Sequence, residues 1–171
     1  MQSYGYAGPP ELAEGTGPAT MGTPVASPAD FDGWAAGRDP GDLAEPWTYV
    51  VDLTGTLRLA ARRSEHVACA GGLPVLAAGE VRFERDGGRW TVAEVTNQST
   101  GYRPGPECWP AVAAALDRAG LARPGAFTHV FVFRECPGCA ELNVVKDDFY
   151  YCAHCDGPLP RDPVRPGGSG R

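Results

Sequence analysis

Two common features are absent from this sequence and a third, lysine, is rare, and the two absences narrow the class of protein. No run of about 18 apolar residues occurs, so no membrane-spanning helix is predicted. No charged segment followed by an apolar core stands near Met1, so no secretory signal is predicted. Lysine is represented by Lys146 alone, and arginine supplies the rest of the 15 basic residues. We therefore expect a soluble, cytoplasmic protein, and its Ala, Gly, Pro and Arg content suggests a bacterial genome of high GC content.

The chain also lacks an excess of positive charge. It has 15 basic and 21 acidic residues, a net charge of -6 and a pI near 5.0. Residues 1–45 carry the whole imbalance, because they contain seven acidic residues and a single basic one, Arg38. The rest of the chain is neutral and offers no gross basic surface. This composition argues against nucleic acid as the partner.

Cysteine is scarce, but four of the six cysteines are regularly spaced. Cys136 and Cys139 form one CxxC pair, and Cys152 and Cys155 form a second pair twelve residues later. A CxxC turn points two thiolates inward, and two facing turns complete a four-sulfur tetrahedron. The intervening residues are typical of strand, polar turn and strand. The pattern predicts a zinc ribbon with a structural Zn²⁺ ion, while iron with the same ligands stays open.

The two remaining cysteines, Cys69 and Cys108, have no CxxC partner. Unpaired thiols beside a metal site indicate a protein of a reducing compartment, and they argue against a fold held together by disulfides. We interpret both as small core residues and not as nucleophiles, because no activating arrangement is evident.

The order of predicted elements indicates an α+β fold with a small, mainly antiparallel sheet, one packed helix and a C-terminal zinc ribbon hairpin. Alternating apolar residues predict strands over 56–61, 79–85 and 89–96, and runs of β-branched and aromatic residues predict strands over 47–53 and 127–133. One apolar face predicts a helix over 107–119, with Gly120 as its C-cap. The sheet and helix form a domain over 46–134, followed by the ribbon over 135–158.

Both ends of the chain have the composition of disordered tails. Residues 1–45 contain eight Gly and six Pro and little apolar periodicity, which predicts a disordered acidic tail. Phe31-Asp32-Gly33-Trp34 within it is an alternative docking motif, although a solvated tail is favoured. Residues 159–171, rich in Pro, Gly and Arg, are predicted to form a second tail.

Five polar residues stand on the segments that flank the 79–96 hairpin. A contact between His66 and Glu80 would fix one imidazole tautomer and raise the pKa of the ring, as in a general base. The side-chain amide of Asn97, the hydroxyl of Ser99 and the phenol of Tyr102 would then bind a polar group of the substrate. The alternative is that these side chains hold two irregular loops in place, and the sequence favours that alternative. The candidate catalytic residues are His66, Glu80, Asn97, Ser99 and Tyr102.

The same residues belong to a longer pattern over about 55–132. Its members are His66, Gly72, Pro74, Val75, Ala77, Ala78, Gly79, Glu80, Asn97, Ser99, Tyr102 and Pro104. This pattern resembles a small module of bacterial polymorphic toxins and effectors and of plant IQ-motif proteins, and the resemblance implies a fold more than an activity. Two departures remove polar members of the module's pattern: Val67 and Ala68 replace serines, and Thr100-Gly101 replaces Gly-His.

Three functions fit these observations. The favoured one is a non-catalytic zinc-binding module that binds another protein, with the acidic tail as a spacer or partner site. The second is an enzyme or small-ligand-binding domain that uses the His66 cluster. The third is nucleic-acid binding by the ribbon, where Lys146 and neighbouring aromatic rings would act, but Asp147 and Asp148 would repel phosphate.

Overall fold

The computed structural model describes residues 1–163, and its main sheet has five antiparallel strands. The strands are β1 (Thr23–Val25), β2 (Trp47–Val51), β3 (Leu57–Ala60), β4 (Ala77–Asp86) and β5 (Arg89–Val95). They lie in the order β1-β3-β2-β4-β5. The central strand β2 pairs with β3 on one side and β4 on the other and is buried at every position, as its run of aromatic and β-branched residues leads one to expect.

The hairpin between β4 and β5 forms where the sequence predicts it. Gly87 and Gly88 connect the strands with φ of 56° and 83°, the left-handed conformations that a tight two-residue hairpin turn requires. A register shift lies between Arg82 and Phe83. Beyond β5, Thr128 donates its backbone amide to Val95 O at 2.9 Å, so the chain continues along this edge of the sheet.

Within residues 1–163, five helices accompany the strands, and the longest of them is the predicted one. It runs over α5 (Trp109–Arg118), preceded by a 3-10 turn at Pro106–Cys108, and its buried face includes Val112 and Leu116. Gly120 follows with φ of 74°, as a C-terminal glycine cap does. The other helices are α1 (Pro10–Ala13), α2 (Pro28–Ala36), α3 (Pro40–Leu43) and α4 (His66–Cys69), with a second 3-10 turn at Pro18–Thr20. The α+β fold class is confirmed, with more helices than expected.

The prediction of a disordered tail over 1–45 is not supported, because this segment completes the core. Strand β1 pairs with β3, and α2 begins after Ser27, whose Oγ accepts a hydrogen bond from the Asp30 amide. Phe31 packs against Phe83 with ring centroids 5.0 Å apart, and Trp34 packs against Trp47 at 4.8 Å. Glycine and proline here separate short ordered elements. Nine-residue α2 is too short to show a clear apolar period, and its stability comes from these tertiary contacts.

The chain divides into two compact units, one over Met1–Val130 and the other beginning at Phe131. In the second unit, β6 (Val132–Glu135) pairs with β7 (Leu142–Val145). The predicted strand over 127–133 is therefore displaced, since Val132 and Phe133 are its only residues within a strand. The return arm of the predicted hairpin is reduced to a bridge between Tyr151 and Pro158.

The predicted tail over 159–171 falls largely on residues 164–171, which lie outside the described residues. Its first residue, Leu159, is buried in the second unit together with Cys136 and Cys152. None of the helices within residues 1–163 has the length and apolar character needed to span a bilayer.

Candidate metal centre

Two turns of the same backbone design present the four regularly spaced cysteines. In the first, the amide of Cys136 donates to Glu141 O at 2.8 Å, and the amide of Ala140 donates to Cys136 O at 2.8 Å. In the second, Cys152 donates to Gly157 O at 2.7 Å, and Asp156 donates to Cys152 O at 2.9 Å. Ala140 and Asp156 occupy equivalent places with φ of 63° and 61°. Each CxxC pair is thus held in one fixed conformation by its own turn.

The four sulfur atoms converge on one point. Cys136 Sγ lies 3.5 Å from Cys155 Sγ, Cys139 Sγ lies 3.6 Å from Cys152 Sγ, and all four sulfurs are within 4.8 Å of one another. A disulfide would bring two sulfurs to about 2 Å. A tetrahedral ion with metal–sulfur bonds of about 2.3 Å separates its sulfurs by about 3.8 Å. The arrangement therefore fits a single metal ion and not two disulfides.

Asn143 on β7 joins the two turns from the side. Its Nδ2 donates to Glu141 O at 3.1 Å and to Cys152 Sγ at 3.4 Å, and its Oδ1 accepts from the Ala153 amide at 2.9 Å. The hydrogen bond from Asn143 lowers the pKa of the Cys152 thiol to about 6, and backbone amides contribute in the same direction. Sequence reasoning missed this residue. The only signal was an asparagine, rare in strands, between the two cysteine pairs.

Two of the four cysteines are buried, and the apolar cluster around them is small. Cys136 and Cys152 are enclosed together with Leu159, with Val145 and Tyr150 packed against them, while Cys139 and Cys155 are exposed. Four thiolates on one ion fill a tetrahedron and leave no position for water or substrate. A centre of this kind stabilises a fold and does not activate a reactant.

The predicted contact between His66 and Glu80 is not formed. His66 Nε2 lies 2.8 Å from Gly79 O, and Glu80 has an exposed side chain. Among residues 1–163, no hydrogen bond or ion pair joins the two side chains. Burial lowers the pKa of the His66 ring, the opposite of the predicted increase. The ring nitrogen is engaged by the backbone carbonyl of Gly79 on β4, and the Glu80 charge opposes the effect of burial on the pKa of the ring without reversing it.

The other three candidates are engaged in the loop that follows β5. Asn97 Nδ2 donates to Pro104 O at 2.9 Å, and Ser99 Oγ accepts from the Tyr102 amide at 3.2 Å. The Tyr102 hydroxyl donates to Leu73 O at 2.7 Å. These hydrogen bonds go to backbone groups, as in the loop-holding alternative.

A small cleft lies beside His66, and His66 is the one candidate that lines it. Its volume is about 40 Å³, whereas sites for drug-sized ligands enclose about 300 to 1,000 Å³. This cleft therefore does not gather His66, Glu80, Asn97, Ser99 and Tyr102 around a common cavity. Whether any of them is catalytic stays a prediction.

The two isolated cysteines are buried, as expected for core residues. Burial raises the pKa of the Cys69 thiol to about 11 and that of the Cys108 thiol to about 12. Both groups are therefore protonated thiols near neutral pH and are poor nucleophiles.

Comparisons with protein-family models, with curated proteins and with solved structures found no match to this chain. The resemblance of residues 55–132 to the toxin, effector and IQ-motif module remains a prediction.

Proposed function

We propose that this chain is a non-catalytic, zinc-binding module that binds another protein through its ribbon. The ion is Zn²⁺ because four thiolates in a closed tetrahedron are the ligand set of structural zinc sites. The candidate catalytic residues, by contrast, bond to backbone groups or point to solvent. The chemistry of the chain therefore supports a scaffold more than an enzyme.

The observation that carries the interaction is a pair of exposed aromatic rings on the ribbon. Phe149 is 63 % exposed and Tyr151 is 54 % exposed, and their ring centroids are 5.3 Å apart. Exposed aromatic clusters are typical of binding surfaces, because burying such rings contributes strongly to association. The two rings stand directly before Cys152, so the metal-bound turn holds their segment in place.

The turn that precedes these rings favours protein over nucleic acid as the partner. Asp147 and Asp148 have φ of 52° and 55°, and both side chains are exposed beside Phe149. Two adjacent carboxylates repel a phosphate backbone but accept hydrogen bonds from basic or backbone groups of a protein. The proposed surface of the partner is apolar where it covers the two rings, and it carries hydrogen-bond donors at its edge for Asp147 and Asp148.

Metal analysis of the purified, reduced chain tests the first half of the proposal. We expect one zinc per chain and no visible absorption. Replacing Cys139 with Ser, a change at an exposed ligand, should lower the zinc content, whereas Cys108→Ser should leave it unchanged. One iron per chain with visible thiolate-to-iron absorption, or no metal in the folded protein, would reject zinc.

Site-specific photocrosslinking in the organism that makes the protein tests the second half. A photoreactive phenylalanine at position 149 or 151 should give a defined protein adduct that disappears in the Cys139→Ser background. The matched control places the same group at Leu53, which is also 54 % exposed but lies in the first unit. Equal adducts from both places, or RNA or DNA as the adduct, would contradict protein binding by the ribbon.

A further inference from the structure

A groove in the first unit has no part in the metal centre. It has a volume of about 1070 Å³ and is lined by α2, by the β4–β5 hairpin and by residues that follow α5. Its size exceeds that of a single ion or water cluster and suits a small organic molecule. The groove is thus large enough for a ligand that the His66 cleft cannot accept.

The charges that line the groove favour an anion. Arg38, Arg85 and Arg89 contribute three guanidinium groups, against the two carboxylates of Asp32 and Asp86. Residues 1–130 as a whole contain ten basic and fifteen acidic side chains, so a locally positive surface is unusual in this unit.

None of the three arginines of the groove forms an ion pair among residues 1–163, whereas Arg58, Arg62, Arg82 and Arg123 each bond to a carboxylate. Arg38 Nη1 donates to Trp34 O at 2.8 Å, so this guanidinium is already partly engaged. The exposed guanidinium groups of Arg85 and Arg89 are the ones positioned to bind the oxygens of a ligand.

Aromatic rings accompany these charges. Phe31 and Trp90 line the groove, and the Arg85 guanidinium lies 5.3 Å from the centre of the Trp90 ring. The Arg38 guanidinium lies 4.4 Å from the centre of the Trp34 ring. Phe31 and Trp34 are buried, so the half-buried Trp90 ring and its neighbouring guanidinium are the planes on which a flat ligand can stack.

Two buried donors at the Arg38 corner of the groove lack an acceptor. Trp34 Nε1 and Arg38 Nε have no hydrogen-bond partner among residues 1–163. Buried donors of this kind are normally satisfied, so each one calls for an explanation. A nearby anionic group would lower their electrostatic cost.

From these observations we propose that the groove formed by α2, the β4–β5 hairpin and the segment after α5 binds a small phosphorylated molecule that carries an aromatic ring. Phosphate is the favoured anionic group because arginine forks match its oxygens in a bidentate manner. This inference concerns residues 1–130 and is independent of the ribbon and its metal.

Titration of the full chain with adenosine monophosphate tests the inference, with adenosine and inorganic phosphate as separate probes. The indole N–H signals of the four tryptophans give the readout by NMR. The signals of Trp34 and Trp90 should move with millimolar adenosine monophosphate, and that of Trp109 should stay. Adenosine alone should bind at least about tenfold more weakly, because it lacks the charge-assisted hydrogen bonds.

Arginine variants decide whether the groove is responsible. The double variant Arg85→Gln with Arg89→Gln alters two exposed side chains and should weaken binding about tenfold or more. Arg62→Gln, an exposed arginine outside the groove, is the matched control and should bind like the unaltered chain. The inference is overturned if the nucleotide moves none of the indole signals, if adenosine binds equally well, or if the control and the double variant lose affinity alike.

Discussion

Asn143 on β7 makes two hydrogen bonds to the second cysteine turn, to Cys152 Sγ and from the Ala153 amide, and a third to Glu141 O of the first turn. Removing the amide in Asn143→Ala should raise the zinc dissociation constant about 10- to 100-fold, because hydrogen bonds to a ligand orient it and tune its basicity. Competition with a chromophoric zinc chelator measures this change.

Glu141→Ala is the control for that measurement. The Glu141 side chain is exposed, and the bonds at this position come from its backbone carbonyl. We expect its zinc affinity to match that of the unaltered chain. An unaltered dissociation constant in Asn143→Ala would mean that the turns hold Cys152 without help from β7.

Gly79 is glycine for a steric reason. A Cβ atom there would clash with the backbone carbonyl of Thr96 and lie 3.0 Å from a ring carbon of Tyr49. Gly79→Ala should therefore destabilise the first unit by about 1–3 kcal/mol or more, since the obstacle is backbone and cannot rotate away. Urea unfolding measures the loss.

The same exchange at Gly33 should act in the opposite direction. Gly33 lies inside α2, and a Cβ there would meet nothing within 4 Å. Gly33→Ala should stabilise the first unit by about 0.5–1 kcal/mol through helix propensity. Equal effects at the two positions would contradict both the close approach at Gly79 and the helix at Gly33.

At the scale of elements, α2 is part of the hydrophobic core. Phe31 is 2 % exposed and contacts the rings of Trp34, Phe83 and Trp90. Phe31→Ala should lower the free energy of unfolding by about 3–5 kcal/mol, because it removes a buried ring and leaves a cavity. Chemical denaturation followed by tryptophan fluorescence reports the change.

Phe149→Ala is the matched control for α2, since Phe149 is an exposed phenylalanine of the ribbon. Its effect on the unfolding of the first unit should stay within about 0.5 kcal/mol. If Phe31→Ala were equally mild, residues 1–45 would be an unattached tail after all.

At the scale of the whole chain, the two units depend on different forces. The first has an extensive core formed by the sheet, α2 and α5, whereas the buried cluster of the second consists of Cys136, Cys152 and Leu159. Metal binding supplies about 10–16 kcal/mol to small zinc domains. We infer that the second unit is stable only with the Zn²⁺ ion that we propose for it.

Chelation should therefore unfold one unit and spare the other. After removal of zinc under reducing conditions, amide NMR signals of residues 131–163 should collapse toward random-coil positions, while those of 1–130 keep their dispersion. Added zinc should restore the lost signals. Persistence of a dispersed ribbon spectrum without metal would show that apolar packing alone is sufficient there.

Local patterns predicted the elements that depend on neighbours in the chain. The Asp86-Gly87-Gly88 turn, the amphipathic α5 with Gly120, and the two CxxC turns all follow from rules that span a few residues. The convergence of the four cysteines was predictable because four sulfurs at that spacing favour one chemistry. The bounds of β6 were not predictable, because the continuous apolar run over 127–133 does not specify which of its residues pair with another strand.

What the sequence determined by itself was the α+β class, the main hairpin, the helix before Gly120 and the four cysteines. Only the tertiary structure decided that residues 1–45 are ordered, that Asn143 supports Cys152, and that His66 bonds to a carbonyl while Glu80 faces solvent. The physical reason is distance along the chain. Helix α2 is stabilised by the contact of Phe31 with Phe83, and Asn143 supports the cysteine turn by its hydrogen bond to Cys152. Such contacts between remote positions leave no periodic pattern in the sequence.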